Sequence, residues 1–175
     1  MRKIILLLSA FIGTTSYAQN QFSAGAHVGL PMMDASNIAT FNIGLDLAYL
    51  HEVNPNFKIG AETGYSHFFG DSLTKDHPFI PIAAKAQYVF PKSSFFVDVA
   101  LGYGISVNES LTGGFYAYPK VGYKLGKGEA YLGLQTLFSN GYDYSLYDSS
   151  YNLIGVSRFR ASFGSLNLGY NFTFK

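Results

Sequence analysis

A chain of 175 residues with no cysteine, 13% charged residues and a formal charge of +1 excludes several kinds of function at once. Without thiols there is no disulfide framework, no thiolate nucleophile or metal site and no lipid anchor on a cysteine, and the near-neutral balance gives no electrostatic footprint for nucleic acid. Aromatic residues reach 17% and glycines number nineteen, while the charged share falls well below that of a typical soluble domain, so much of the surface is expected to meet something other than water.

In chain order, the first element is a secretory signal. Arg2 and Lys3 precede an uncharged apolar run from Ile4 to Ile12, and small residues lead to Ser16-Tyr17-Ala18 before Gln19. Cleavage after Ala18 is expected, which makes 1–18 a signal peptide and 19–175 one mature domain. The apolar run falls short of the ~20 residues of a transmembrane helix. Without Arg2 and Lys3, ten basic residues face eleven acidic ones, and the formal charge becomes −1.

From residue 19 onward no apolar stretch is long enough to span a bilayer as a helix. Alternation with the two-residue period of a β-strand takes over in segments 22–30, 41–51, 57–69, 79–90, 95–107, 115–125, 130–139 and about 158–174. The fifth is the clearest: Phe95, Val97, Val99, Leu101, Tyr103, Ile105 and Val107 share one face, and Phe96, Asp98, Ala100, Gly102, Gly104 and Ser106 the other. Short turn-rich links at 52–56, 91–94 and 126–129 alternate with longer ones at 31–40, 70–78, 108–114 and 140–157. Such alternation predicts an all-β fold: a closed antiparallel up-and-down transmembrane β-barrel of eight strands, with short links on the periplasmic side and long ones outside. Pro81 and Pro119 fall inside strands that have no free edge, and bulges are expected there. Arg158 and Arg160 are expected above the apolar band, because a membrane strand needs only ~9–11 residues.

Alternation would equally suit a soluble barrel that turns its apolar face inward around a ligand. Three features favour the membrane. The second face carries mostly Gly, Ala, Ser and Asn; Phe22, Tyr49, Phe57, Tyr88, Phe90, Phe95, Tyr123 and Phe172 gather at one set of strand ends and Phe41, Phe69, Tyr103, Phe115 and Phe138 at the other, as interfacial girdles do; and the chain closes on Leu166-Asn167-Leu168-Gly169-Tyr170-Asn171-Phe172-Thr173-Phe174. That last run resembles the terminal strand of outer-membrane barrels, with Lys175 after the final aromatic as a departure. Together with the leader and the strand count, it makes the mature chain resemble the small OmpA/OmpX-type outer-membrane barrel family of Gram-negative bacteria over nearly its whole length. The resemblance implies export to the cell outer membrane, contact with outer-membrane lipid and lipopolysaccharide, and recognition of the C-terminal strand by the barrel-assembly machinery.

Turned inward, the polar face carries Asp46, Lys58, Glu62, Lys85, Asp98, Lys120 and Lys124, with His27, Gln135, Asn167 and Asn171 beside them. Eight strands leave an interior about wide enough for side chains, and buried charges persist only when paired, so a plugged lumen is expected. A narrow porin-like channel lined by the same charges is the alternative. Arg158 and Arg160 are candidates for lipopolysaccharide phosphates through bidentate hydrogen bonds, or are ordinary loop charges. Tyr142, Tyr144, Tyr147 and Tyr151 in the longest link suit a contact surface for an unidentified extracellular ligand, or loop packing alone. His67 near Asp71-Ser72 would suit a lipid A-modifying enzyme, but the chain lacks the His-x-Ser run of the deacylases. The four histidines show no metal-ligand spacing, and neither metal nor cofactor is expected. A non-enzymatic structural or surface-interaction barrel is the preferred expectation.

Overall fold

A computed structural model describes residues 20–71, 75–107, 113–139, 142–147, 153–159 and 162–174. The signal peptide expected at 1–18 lies outside them, as do Ser72, Tyr151 and Arg160. Ten strands follow in order: β1 (Asn20–Met33), β2 (Ala39–Asn54), β3 (Phe57–Gly70), β4 (His77–Val89), β5 (Phe95–Ser106), β6 (Gly114–Leu125), β7 (Gly128–Ser139), β8 (Tyr142–Tyr147), β9 (Leu153–Phe159) and β10 (Ser162–Phe174). Eight of them close one antiparallel barrel in the order β1-β10-β7-β6-β5-β4-β3-β2, and β8 and β9 form a separate two-stranded hairpin. Strand β1 closes the ring by pairing with β10 from Phe22↔Phe174 to Met33↔Phe163 and with β2 from Asn20↔His51 to Gly29↔Asn42.

The hairpin fills one link and corrects one boundary. Within and just beyond the 140–157 link, β8 and β9 run as paired strands. Arg158 belongs to β9, opposite Asp143, and the last barrel strand starts at Ser162 rather than near residue 158. Alternation simply continues from β9 into β10, so a two-residue period cannot mark where one strand stops and the next starts.

At the short-turn end, local chemistry sets each reversal. Asn54 Oδ1 accepts from the backbone N–H of Asn56 (3.0 Å) and Phe57 (2.9 Å), and Asn56 Nδ2 donates to the Val89 carbonyl (2.9 Å). Ser93 Oγ accepts from Phe95 N–H at 3.0 Å. Gly126 takes φ +63°, a left-handed conformation that glycine adopts at no steric cost, and so joins β6 to β7 in two residues. At the long-loop end, a 3-10 turn at Asp34–Asn37 folds back onto β1, β2 and β10 and buries Ala35 completely.

The apolar face is outside. Val28, Leu30, Leu45, Ile82 and Leu168 are 59–68% exposed, whereas Asp46, Glu62, Lys85, Asp98 and Lys120 are at most 5% exposed. That arrangement inverts a ligand-binding soluble barrel. A continuous apolar belt of this extent is far beyond what soluble monomers leave in water. Aromatic pairs rim it across neighbouring strands: Phe22–Tyr49 (4.9 Å between centroids) and Phe95–Tyr123 (5.0 Å) at the short-turn end, Phe41–Phe69 (4.2 Å) and Phe115–Phe138 (6.1 Å) at the other.

Neither inner proline makes a bulge. The β3–β4 ladder passes from Thr63↔Ile82 to Ser66↔Phe79 and the β6–β7 ladder from Ala117↔Thr136 to Lys120↔Gly133, each with a gap at the proline and the same register on both sides. The shifts in the barrel instead fall near the two ends of the β2–β3 ladder. A register slip at Pro81 would turn Lys85 out of the lumen, so a lost rung is the smaller cost. Thr63 Oγ1 donates to the Pro81 carbonyl at 2.7 Å and replaces part of that rung. In a wall that water does not reach, Thr63→Val is expected to cost about 1 kcal/mol or more, while Thr63→Ser stays close to wild type. Urea midpoints from circular dichroism of the vesicle-reconstituted barrel check this, and equal midpoints for both variants would refute the role of the hydroxyl.

Candidate functional site: the filled lumen

Even-numbered residues of β3 face inward and place Lys58, Glu62, Ser66 and Phe68 in the lumen, and the same parity argument places Lys85 from β4, Asp98 from β5 and Lys120 from β6. At mid-height, Glu62 Oε2 accepts from Lys85 Nζ (2.7 Å) and from Lys120 Nζ (2.8 Å), and Lys85 Nζ also lies 3.1 Å from Asp98 Oδ2. The Lys120 ammonium sits 4.0 Å from the centroid of the Tyr118 ring and 4.9 Å from that of Tyr131, so one cation is shared between a carboxylate and two π-faces.

Across the lumen, Asp46 Oδ2 lies 3.0 Å from His27 Nδ1 and accepts from the Tyr131 hydroxyl at 2.5 Å. Asn167 Nδ2 donates to the Tyr118 hydroxyl (2.9 Å) and Ser165 Oγ to Asn167 Oδ1 (2.5 Å). This belt draws a side chain from every strand of the barrel. Glycines make room for it: a Cβ on Gly44 would stand 2.4 Å from the His27 ring and one on Gly169 2.3 Å from the Tyr131 ring.

Of the seven charged residues singled out in the sequence, Asp46, Glu62, Lys85, Asp98 and Lys120 join this belt. Lys58 and Lys124 lie apart, at the short-turn mouth. There Lys58 Nζ donates to Gln21 Oε1 at 2.5 Å, and Lys124 Nζ is 3.7 Å from Glu129 Oε1, whose other oxygen accepts from Gln87 Nε2 at 3.1 Å. Glu129, Gln21 and Gln87 were missed as site residues, although Glu129 shares the inward parity of Tyr131, Gly133 and Gln135 and was legible by the same rule.

Above the belt lies a neutral polar layer. Asn42 Nδ2 donates to Ser66 Oγ (2.8 Å), Ser66 Oγ to Gln135 Oε1 (2.8 Å) and Gln135 Nε2 to the Tyr116 hydroxyl (3.3 Å). An apolar cap follows: Phe68 stands 6.1 Å from both Phe79 and Phe163, Phe79 is 6.0 Å from Tyr116, and Ala35 of the 3-10 turn and Leu137 are buried in the same cluster. Phe163 and Leu137 carry the right parity, but Ala35 sits in a link where no period applies.

His67 faces outward on β3 near the long-loop end. Its Nδ1 lies 2.9 Å from the Tyr65 hydroxyl and its Nε2 3.1 Å from Asp76 Oδ2, with Asp76 rather than Asp71 as the carboxylate. Asp76 Oδ1 also accepts from Gly70 N–H at 2.9 Å, so this carboxylate fastens the β3–β4 link to the rim. Side chains of β8 and β9, including Tyr142, Tyr144, Tyr147 and Arg158, lie outside the described residues.

Two outcomes follow. Glu62→Gln leaves the Lys85 and Lys120 ammoniums without their shared carboxylate, and a loss of about 3–5 kcal/mol in unfolding free energy is expected in reconstituted vesicles; a loss below about 1 kcal/mol would mean that the ions are solvated. Gly70 N–H, then His67, hold the Asp76 carboxyl below its ordinary value of 3.8. A depressed carboxyl stabilises the fastened link above its ordinary pKa and loses that contribution as pH falls through the folded value. The Gly70 amide resonance should therefore move with a midpoint below 3.8, and a flat profile across the acid range would refute the contact.

No protein-family model matches the sequence, and no curated protein does. Solved structures do. The crystal structure of Neisserial surface protein A (NspA) aligns with a TM-score of 0.51 at 13% identity, covering 91% of this chain and 100% of that one. Ail, the attachment invasion locus protein of Yersinia pestis, aligns with a TM-score of 0.52 at 14% identity, covering 89% and 97%. At such identities the likeness is one of backbone path. Closed strand order, outward apolar belt and solved neighbours together give this chain the fold of the small eight-stranded outer-membrane β-barrels.

Proposed function

We propose that the protein is a non-enzymatic outer-membrane barrel with a structural or surface-interaction role, its lumen plugged by paired charges. One observation carries this reading: the interior is occupied by side chains from the Lys85–Glu62–Lys120 belt up to the Phe68–Phe79–Phe163 cap, with no described residue of the belt more than 5% exposed. Eight strands enclose only enough room for such filling. The outward apolar belt between aromatic girdles supports residence in a bilayer. With the short turns on the periplasmic side, the β8–β9 hairpin stands on the cell surface, and its sequence carries Tyr142, Tyr144, Tyr147 and Tyr151 as contact residues, with Arg158 and Arg160 available to lipopolysaccharide phosphates. Both solved neighbours are named for the surface or for attachment, which agrees with a surface role. Export with removal of residues 1–18 and assembly through the β10 strand complete this reading.

A second reading, a narrow channel for ions or small solutes, is favoured by the buried oxygens Glu62 Oε1, Asp98 Oδ1 and Gln87 Oε1, none of which receives a hydrogen bond from the described residues. Conductance separates the two. Protein shown to be folded should be silent in a planar bilayer, whereas reproducible steps altered by Lys85→Ala or Glu62→Ala would make it a channel. For the lipid A enzyme, the Tyr65–His67–Asp76 contacts supply a histidine whose two nitrogens are already engaged; unchanged lipid A mass after His67→Ala is the expected result, and an altered mass would establish the activity.

A further inference from the structure

The lumen is asymmetric along its axis. Its long-loop end is sealed by the aromatic cap, while its short-turn end opens into a cup of about 550 Å³. Gln21 of β1, Lys58 of β3, Lys124 of β6, Lys127 of the β6–β7 turn, Glu129 of β7 and Thr173 of β10 supply its polar walls. Three lysines against one glutamate give these walls a formal excess of two positive charges.

We propose that this cup is a binding site for a small dianion, a dicarboxylate or a phosphate, on the periplasmic face. Four observations carry it. The volume falls within the range of about 300–1,000 Å³ typical of small-molecule pockets. Glu129, the single acidic wall residue, is already committed, with Oε2 held by Gln87 and Oε1 facing Lys124 at the long distance of 3.7 Å. The lysines stand on fixed backbone: the Lys127 carbonyl accepts from Thr173 N–H at 2.8 Å, and Lys124 N–H donates to the Ser94 carbonyl at 2.9 Å. Finally, the cup is concave, a geometry that concentrates the field of like charges within it. Gln21 already accepts from Lys58 and donates to Thr173 Oγ1 at 3.4 Å, so the three-donor ammoniums of Lys124 and Lys127 are the groups that meet an anion of two charges. Because side chains fill the lumen above it, the cup is blind and holds its ligand rather than passing it on. Binding itself does not require the plugged reading, so a conducting lumen would leave the site standing.

The test is calorimetric titration of protein purified from membranes into zwitterionic detergent, with inorganic phosphate in one arm and succinate in the other. One saturable site is expected in at least one arm, and the tighter arm assigns the class. Lys127→Gln, an exposed turn substitution that leaves the barrel wall untouched, should weaken binding about fivefold, and Lys124→Gln at least as much. Lys92→Gln, in the neighbouring β4–β5 turn outside the cup, should change nothing. No saturation in either arm, or wild-type affinity in both the Lys127→Gln and Lys124→Gln variants, overturns the proposal.

Discussion

Where apolar side chains face a lipid phase, every backbone N–H and C=O must find its partner inside the protein. The rest of this structure follows from that demand. A sheet meets it only by closing, and here closure falls to β1, which takes β10 on one edge and β2 on the other. The prolines strain it: Pro81 and Pro119 each interrupt a ladder without shifting register, and at Pro81 the Thr63 hydroxyl gives the proline carbonyl a donor.

Closure with eight strands has a second effect, because it fixes how much space lies within. The lumen is too narrow to hold bulk water around ions, so the carboxylates of Asp46, Glu62 and Asp98 and the ammoniums of Lys85 and Lys120 are resolved by contact with one another and with the His27, Tyr118 and Tyr131 rings. Replacing one partner alone leaves a buried charge uncompensated, while replacing the set with apolar groups need not destabilise the fold. The presence of the belt is therefore no measure of net stability.

The two ends then diverge. At the long-loop end the 3-10 turn and Phe163 seal the lumen, and the Tyr65–His67–Asp76 contacts fasten the next link to the rim. At the short-turn end the tight turns cover little of the mouth among the described residues, and lysines gather around a cup. Short turns leave a floor with a cavity, while the first long link folds its 3-10 turn over the opposite end.

Much of this was legible in the sequence, because the two-residue period is a local property. It determined eight barrel strands, which side chains point inward, and the clustering of Phe22, Tyr49, Phe95 and Tyr123 against Phe41, Phe69, Phe115 and Phe138 at opposite rims. The same rule covers Leu137 and Phe163, which lie inside the segments 130–139 and 158–174, and one residue further reaches Glu129. Only the tertiary structure decided the partners. That Tyr131 reaches Asp46 and Lys120 reaches Glu62, 85 and 58 residues away along the chain, depends on the stagger with which the ring closes, and no local period encodes that stagger. Ala35 beneath the cap and Asp76 beside His67 lie in links without a period, and the division of the last alternating stretch into β9 and β10 follows from where pairing ends. Parity tells a residue which side of the wall it is on; closure tells it what it meets there.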